Sequence, residues 1–405
     1  MNDSGLMDAA QKRRFRTAVL NWYETHGRKL PWRESADPYR IWLSEIMLQQ
    51  TTVAAVVPYF ERFTARFPDV ASLAAAPVDD VLKLWEGLGY YSRARNLHKA
   101  AQSVMVNHGG KFPADAVTLQ TLPGVGRYTA GAIASFAFEL PAAIVEANTE
   151  RLYARLLALQ EDVRSTASQK LLWQFAESVI PSRRPGDFNQ SLMDIGSRVC
   201  RPQEPDCPQC PLMAMCRAFH LGIQRDVPVR KARTAITEVS ELGVILYQRK
   251  KFLLRRRTAS ERWAGMWDFV RFEISNSEVS ALPYTQTLRS AGKNRAEKKT
   301  EATVRKSLRP GSLFSAAGDQ LPSSLQDRVR EQSGILAGRV VASMEFQYSV
   351  TRYKVRLMCF LCEATAAKNT EEEDRQWFSL AELGELPLSA TGRRIVQWLH
   401  GEVLP

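Results

Sequence analysis

Cysteine is scarce in this chain, six in 405 residues, too few for a disulfide-stapled scaffold. Apolar residues make up 45% of it, too many for wholesale disorder or a collagen-like repeat. No run approaches the ~18 apolar residues of a membrane-spanning helix. The polar start, Met1 to Asp8, runs into Gln11, Lys12, Arg13 and Arg14 without an apolar signal segment. The expectation is a soluble cytoplasmic protein with no membrane partner, in a reducing compartment where clustered cysteines serve as metal ligands more readily than as disulfides. Acid is in deficit as well: 43 Asp and Glu against 55 Lys and Arg leave a net charge of +12, which suits a polyanionic partner such as nucleic acid or an anionic membrane.

The length allows two or three domains, and the patterning predicts two lobes. Residues 8–222 read as short helices punctuated by Gly and Pro: Pro38 to Gln50, Val53 to Phe67, Val78 to Leu84, Arg93 to His108 and Arg127 to Phe138. Around 223–237 the extended, basic Val227-Pro228-Val229-Arg230-Lys231 reads as a linker. Residues 238–405 read as α+β: β-branched runs at Glu241 to Tyr247 and Lys251 to Arg255, a late pair at Val340 to Phe346 and Tyr353 to Leu361, and a closing helix from Thr391 to His400. Within this lobe, about 276–320 is rich in Arg and Lys and poor in large apolar residues, so a basic, disordered insertion is expected there.

Three signals carry chemistry. Cys200, Cys207, Cys210 and Cys216 are spaced C-x6-C-x2-C-x5-C, with Pro205, Pro208 and Pro211 shaping the loop, so four thiolates can wrap a metal centre. Spacing alone does not decide between tetrahedral zinc and an iron-sulfur cubane. Cys359 and Cys362 lie in an apolar strand, where residues three apart face opposite ways, so they are expected to be packed thiols. The second signal is Leu122-Pro123-Gly124-Val125-Gly126-Arg127-Tyr128-Thr129, a glycine turn opening a helix. Such a turn can aim backbone N–H groups at a phosphate, or merely join two helices. The third is Glu45, on a helix expected to start at an Asp37 N-cap and Pro38. Ile41, Trp42, Leu48 and Gln49 place it on or beside the apolar stripe, where a raised pKa would let it donate a proton near neutrality.

In order along one helical lobe, these signals resemble the helix-hairpin-helix DNA glycosylases, and among them the MutY-type adenine DNA glycosylases. The likeness covers most of residues 8–222, through Leu30-Pro31-Trp32-Arg33, Trp42 to Thr51, Trp85 to Arg93, the hairpin and Phe188-Asn189-Gln190. It implies an all-α glycosylase domain with a 4Fe-4S cluster in the 200–216 loop, followed by a Nudix-like domain. It also implies a reaction: hydrolysis of the N-glycosidic bond of an extruded adenine mispaired with 8-oxoguanine or guanine in double-stranded DNA. On that resemblance Glu45 is the general acid and Tyr128 and Asn148 position sugar and water. Leu30, Trp32, Arg33 and Gln190 line the adenine pocket, and Gln50 and Tyr90 wedge into the base stack. Gly124, Val125, Gly126, Arg127 and Thr129 hold phosphate. Tyr128 stands where bifunctional relatives of the endonuclease III type carry a Schiff-base lysine, so a monofunctional enzyme is expected. A monomer is the simplest assembly.

Two departures stand out. The family's Val-Asp-Gly-Asn segment reads Val145-Glu146-Ala147-Asn148, so Glu146 is expected to serve for the aspartate that stabilises positive charge on the sugar. The family's Phe-Ser-His lesion-reading loop reads Val350-Thr351-Arg352. The segment matching a Nudix helix, Asp327 to Gly334, lacks most of the glutamates that bind magnesium, so recognition rather than hydrolysis is expected of the second lobe. Two alternatives remain: a thymine-mismatch glycosylase of the same fold, and a catalytically weakened mismatch-binding protein.

Overall fold

The computed structural model describes residues 7–229, 235–282, 320–365, 372 and 374–403. The chain divides into two compact units, one formed by Met1–Leu84 with Ser92–Arg233, the other by Thr234–Pro405 together with Trp85–Tyr91.

The first unit is helical among its described residues. The expected helices are present, with bounds Pro38–Leu48, Val53–Arg66, Val78–Leu84, Ser92–His108 and Arg127–Phe138. Caps explain several starts. The Asp37 carboxylate accepts the Tyr39 N–H at 2.9 Å with Pro38 at the first helical position, and Asp8 forms a capping box with Gln11 at the head of Ala9–His26. One core packs Phe15 edge-on to Phe175 and Phe188, with ring centroids 6.2 and 6.0 Å away, and adds Tyr153 from Ala147–Leu157. The first residues of the expected linker belong to this unit. Val227 is buried in that core and Val229 makes a parallel bridge with Asp162, because the Arg155 guanidinium draws in the Val227 carbonyl at 2.9 Å.

The second unit is built on a seven-stranded mixed sheet among the described residues: β1 Thr237–Gln248, β2 Lys251–Arg256, β3 Trp267–Asp268, β4 Val270–Ile274, β5 Ala337–Val350, β6 Tyr353–Ala364 and β7 Arg375–Ser379. β1 pairs with β6 in parallel over Thr237 to Tyr247, and β5 with β6 in an antiparallel hairpin. Each face of the sheet carries its own apolar core. Cys359 and Cys362 behave as expected: both thiols are free and buried, one in each core. A Cβ on Gly243 of β1 would lie 3.1 Å from the Cys359 sulfur, so the small residue makes room for the thiol. The closing helix is Ala390–Trp398, and Arg393 on it holds both carboxylate oxygens of Glu86 at 2.7 and 2.8 Å. Of the expected insertion, Asn276–Ala281 is a helix, and Arg289 to Arg309 lie outside the described residues.

Candidate active site

The helix Pro38–Leu48 delivers Glu45 into the interior of the first unit. A mostly apolar run after a fixed N-cap buries eight of its residues, Glu45 among them at 4% exposure. The far end is held by Arg93, buried, which donates to the carbonyls of Ile46, Met47 and Gln49 at 2.6, 3.0 and 2.7 Å and so satisfies a helix C-terminus that no sequence signal marked. Gln50 follows in a left-handed turn, φ 58°.

Burial pushes the Glu45 carboxyl up from 4.5 to about 7. The hydrogen bond from Tyr128 and the positive charge of Arg33 oppose the rise, and the negative charge of Glu146 adds to it. Tyr128 donates its hydroxyl to Glu45 Oε2 at 2.5 Å. Burial and the two carboxylates raise the phenol well above its ordinary value, so it stays protonated and Oε2 stays an acceptor.

Glu45 lines an open cavity of about 270 Å³ together with Leu30, Trp32, Arg33 and Gln190, all expected at this place. The sequence reading missed Arg28, Ser44, Glu139, Asp187 and Met193, which share the lining. Asp194 is fully buried beneath it and takes Arg33 in a bidentate pair at 2.9 and 3.1 Å and Arg28 at 2.7 Å. These two guanidiniums hold its carboxyl below the ordinary value.

Glu146, Tyr128 and Asn148 are not among the cavity's lining residues, but Glu146 lies close enough to raise both Glu45 and Tyr128 electrostatically. Half-buried Glu146 is the N-cap of Ala147–Leu157. Its Oε2 accepts from the Asn148 backbone N–H at 2.9 Å and from the Asn148 amide at 3.2 Å, and its Oε1 accepts from the Thr149 N–H at 2.9 Å. The carboxylate thus folds back on its own helix, which absorbs the methylene that separates it from aspartate. Burial raises its pKa and these hydrogen bonds oppose the rise.

At the hairpin, Gly124 adopts φ 77°, where a Cβ would also meet the Asn96 side chain at 2.8 Å, so both conformation and space call for glycine. Gly126 is the N-cap of Arg127–Phe138 and offers no side-chain cap, and Val125 and Thr129 are buried while Gly124, Gly126 and Arg127 are exposed. Arg127 stacks over Trp173 at 3.8 Å and pairs with Glu177 at 2.5 Å, an exposed arrangement the local sequence did not foretell.

Cys200, Cys207, Cys210 and Cys216 all line one small pocket with Leu152, Leu156, Val199 and Leu212. Among the described residues no group of three or more His, Cys, Asp or Glu converges on a single metal ion. Four thiols round one apolar pocket are a donor set that suits a metal centre. Fully buried Arg155 donates to Cys200 Sγ at 3.2 Å, a positive neighbour for thiolate charge.

In the second unit Tyr90 is 45% exposed in a left-handed turn, φ 50°. Thr351, φ 51°, and Arg352 form the exposed two-residue tip of the β5–β6 hairpin, where Arg352 donates to the Tyr353 hydroxyl at 3.1 Å.

A sequence profile of the HhH-GPD superfamily of base excision DNA repair proteins matches residues 43–178. Over 269 residues the chain is 38% identical to the adenine DNA glycosylase of Buchnera aphidicola subsp. Schizaphis graminum, spanning 66% of this chain and 78% of that protein. It is 45% identical over 220 residues to the adenine DNA glycosylase of Homo sapiens, spanning 52% of this chain and 40% of that protein. Among solved structures, a thermostable thymine-DNA glycosylase, 31% identical, covers 53% of this chain with a TM-score of 0.48.

Proposed function

The chain belongs to the adenine DNA glycosylases of the HhH-GPD superfamily, and from that premise we propose that it excises adenine from double-stranded DNA where adenine is mispaired with 8-oxoguanine or guanine. The observation that carries the reading is Glu45: a carboxyl held near a pKa of 7, fixed by Tyr128, on the wall of a cavity that also presents Trp32 and Gln190. A flipped base entering that cavity takes the proton from Glu45 as the N-glycosidic bond breaks. The sugar acquires positive charge, stabilised by Glu146, and water adds to the anomeric carbon while its proton is lost to a base. Tyr128 and Asn148 keep their partners oriented. Tyr128 stands where bifunctional relatives carry the Schiff-base lysine, and a phenol forms no amine-linked adduct, in keeping with hydrolysis.

Phosphate contacts fall to the uncapped N-terminus of Arg127–Phe138 and the Gly124 to Thr129 turn. Gln50 and Tyr90, both on turns of positive φ, are the wedges. The second unit serves as a Nudix-like recognition module, with Thr351 and Arg352 at the tip that inspects the opposing guanine. The helix Ser323–Ser333 supports recognition over hydrolysis, since Asp327 and Glu331 are its only acids.

The reading is tested with duplexes holding one adenine, thymine or uracil opposite 8-oxoguanine or guanine, treated with alkali after incubation. Strand breaks at adenine are expected. Breaks at thymine or uracil alone, or binding without breaks, would overturn it in favour of a thymine-mismatch glycosylase or a binding protein.

The four cysteines fit a 4Fe-4S cluster, held by Cys200, Cys207, Cys210 and Cys216, which when bound supplies cross-linking of the 200–216 loop. Arg155 would hold the loop from the side by donating to the Cys200 sulfur and to the Cys200, Arg201 and Pro202 carbonyls. Elemental analysis of anaerobically purified protein is expected to find about four irons and four sulfides per chain. One zinc without sulfide would contradict it.

A further inference from the structure

Tyr23, on the helix Ala9–His26, belongs to none of the motifs described above, yet its hydroxyl holds a residue of the base cavity. It donates to Gln190 Oε1 at 2.8 Å and lies near enough to Arg33 to feel its positive charge. The direction of this bond sets the amide. A guanidinium has donors only, so Arg33 cannot take the phenol proton. Arg33 is itself fixed through Asp194, by the bidentate pair already described. The Tyr23 proton goes to Gln190, and a phenol that donates binds the oxygen end of an amide, not the nitrogen end. Burial raises the Tyr23 pKa, which keeps that proton in place at neutral pH.

Gln190 lines the cavity, and no described residue accepts from its Nε2. Tyr23 therefore turns the amide so that its carbonyl faces the phenol and its N–H groups are left for whatever fills the cavity. We propose that Tyr23 is a positioning residue for base selection: it sets the direction of the Gln190 amide so that the cavity shows the base a donor and withholds an acceptor. Such a wall suits a base edge carrying a ring-nitrogen acceptor, as every edge of adenine does, and disfavours an edge whose ring nitrogen carries hydrogen, as in thymine. The inference rests on the proposed adenine excision and adds the group that orders one contact of it.

Without the hydroxyl, the amide is free to rotate and present either end. Single-turnover release of adenine is expected to be about tenfold slower in Tyr23→Phe, the scale of one hydrogen bond. Because Tyr23 acts through Gln190, the losses should not add: Tyr23→Phe/Gln190→Leu should be no slower than Gln190→Leu alone. A purely structural Tyr23 would instead slow Gln190→Leu by the same factor as the wild type. Gln190→Glu, which keeps an oxygen for Tyr23 but offers no N–H, should be as slow as Gln190→Leu. Additive losses, a Tyr23→Phe rate equal to wild type, or full activity in Gln190→Glu would each overturn the proposal. A wild type that releases no adenine from the same duplexes would overturn the proposed function, and this inference with it; a wild type that does so while the variants give any of those three results overturns the inference alone.

Discussion

Replacing Glu45 with glutamine is expected to slow adenine release by about a thousandfold or more while making the folded chain more stable above neutral pH. Both effects come from the same burial. A positioned general acid contributes on the order of 10²–10⁴ in rate, and glutamine has no proton to give. Its amide oxygen can still accept from Tyr128, so the side chain should keep its place. The stability effect follows from linkage. The Glu45 carboxyl rises from 4.5 to about 7 on folding. Any stability tied to its protonation is fully present below about 4.5 and is lost as pH climbs through about 7. At pH 8 the folded chain holds a desolvated anion that the unfolded chain would hydrate, a cost on the order of 3 kcal/mol by the full shift. The neutral amide avoids most of it. Denaturant titration at pH 8 should show Glu45→Gln more stable by on the order of 2 kcal/mol, the remainder being offset by a weaker bond from Tyr128. At pH 4 the two proteins should unfold alike. In the wild type, single-turnover rate should fall as pH rises through about 7. A variant equally stable at both pH values, or a wild-type rate flat from pH 6 to 9, would remove Glu45 from the role of acid.

How much of this site could be read beforehand depends on the distance over which each interaction is encoded. Glu45 was legible because its cause is local: Asp37 and Pro38 fix the start of the helix and Ile41 and Trp42 fix its buried face. The cysteine loop was legible for the same reason, as were Cys359 and Cys362, whose opposite-facing burial follows from strand period alone. Asp194 was not legible, because it meets Arg28 across 166 positions of sequence. Nor was Arg93, whose role as a cap depends on a helix that precedes it by more than 40 residues. The same limit applied to strands. The β1–β6 parallel pairing joins segments more than 100 residues apart, and β3 is two residues long, too short for any period to register. Arg127 is expected at the phosphate as part of the hairpin, but its stacking was not legible. Its stacking partner, Trp173, lies on the helix Thr166–Val179, about which the hairpin sequence is silent.

Glu146→Gln is expected to lose at least a hundredfold in adenine release and also some stability, and the structure shows why the two must be separated. Glu146 does two jobs with one carboxylate. As an N-cap it accepts three hydrogen bonds on its two oxygens, from Asn148 and Thr149. As a charge it stands beside the reacting sugar in the proposed reaction. Glutamine brings one acceptor oxygen and turns a donor toward N–H groups that need none, so the helix Ala147–Leu157 should lose about 1–2 kcal/mol. The rate loss has a different origin: removing a fixed negative charge from a desolvated site where positive charge develops costs on the order of 10²–10³. Glu146→Ser tells the two apart. Serine is among the best N-caps and carries no charge, so thermal unfolding should return to within about 1 kcal/mol of wild type, while adenine release stays at least a hundredfold down. Glu146→Asp keeps charge and cap together and restores the residue found in the family's motif, so it should release adenine faster than Glu146→Ser and lose no more than the ~100-fold that a carboxylate displaced by about 1 Å can cost. Should Glu146→Ser release adenine at the wild-type rate, the carboxylate is a helix cap and nothing more, and stabilisation of the sugar must come from another group.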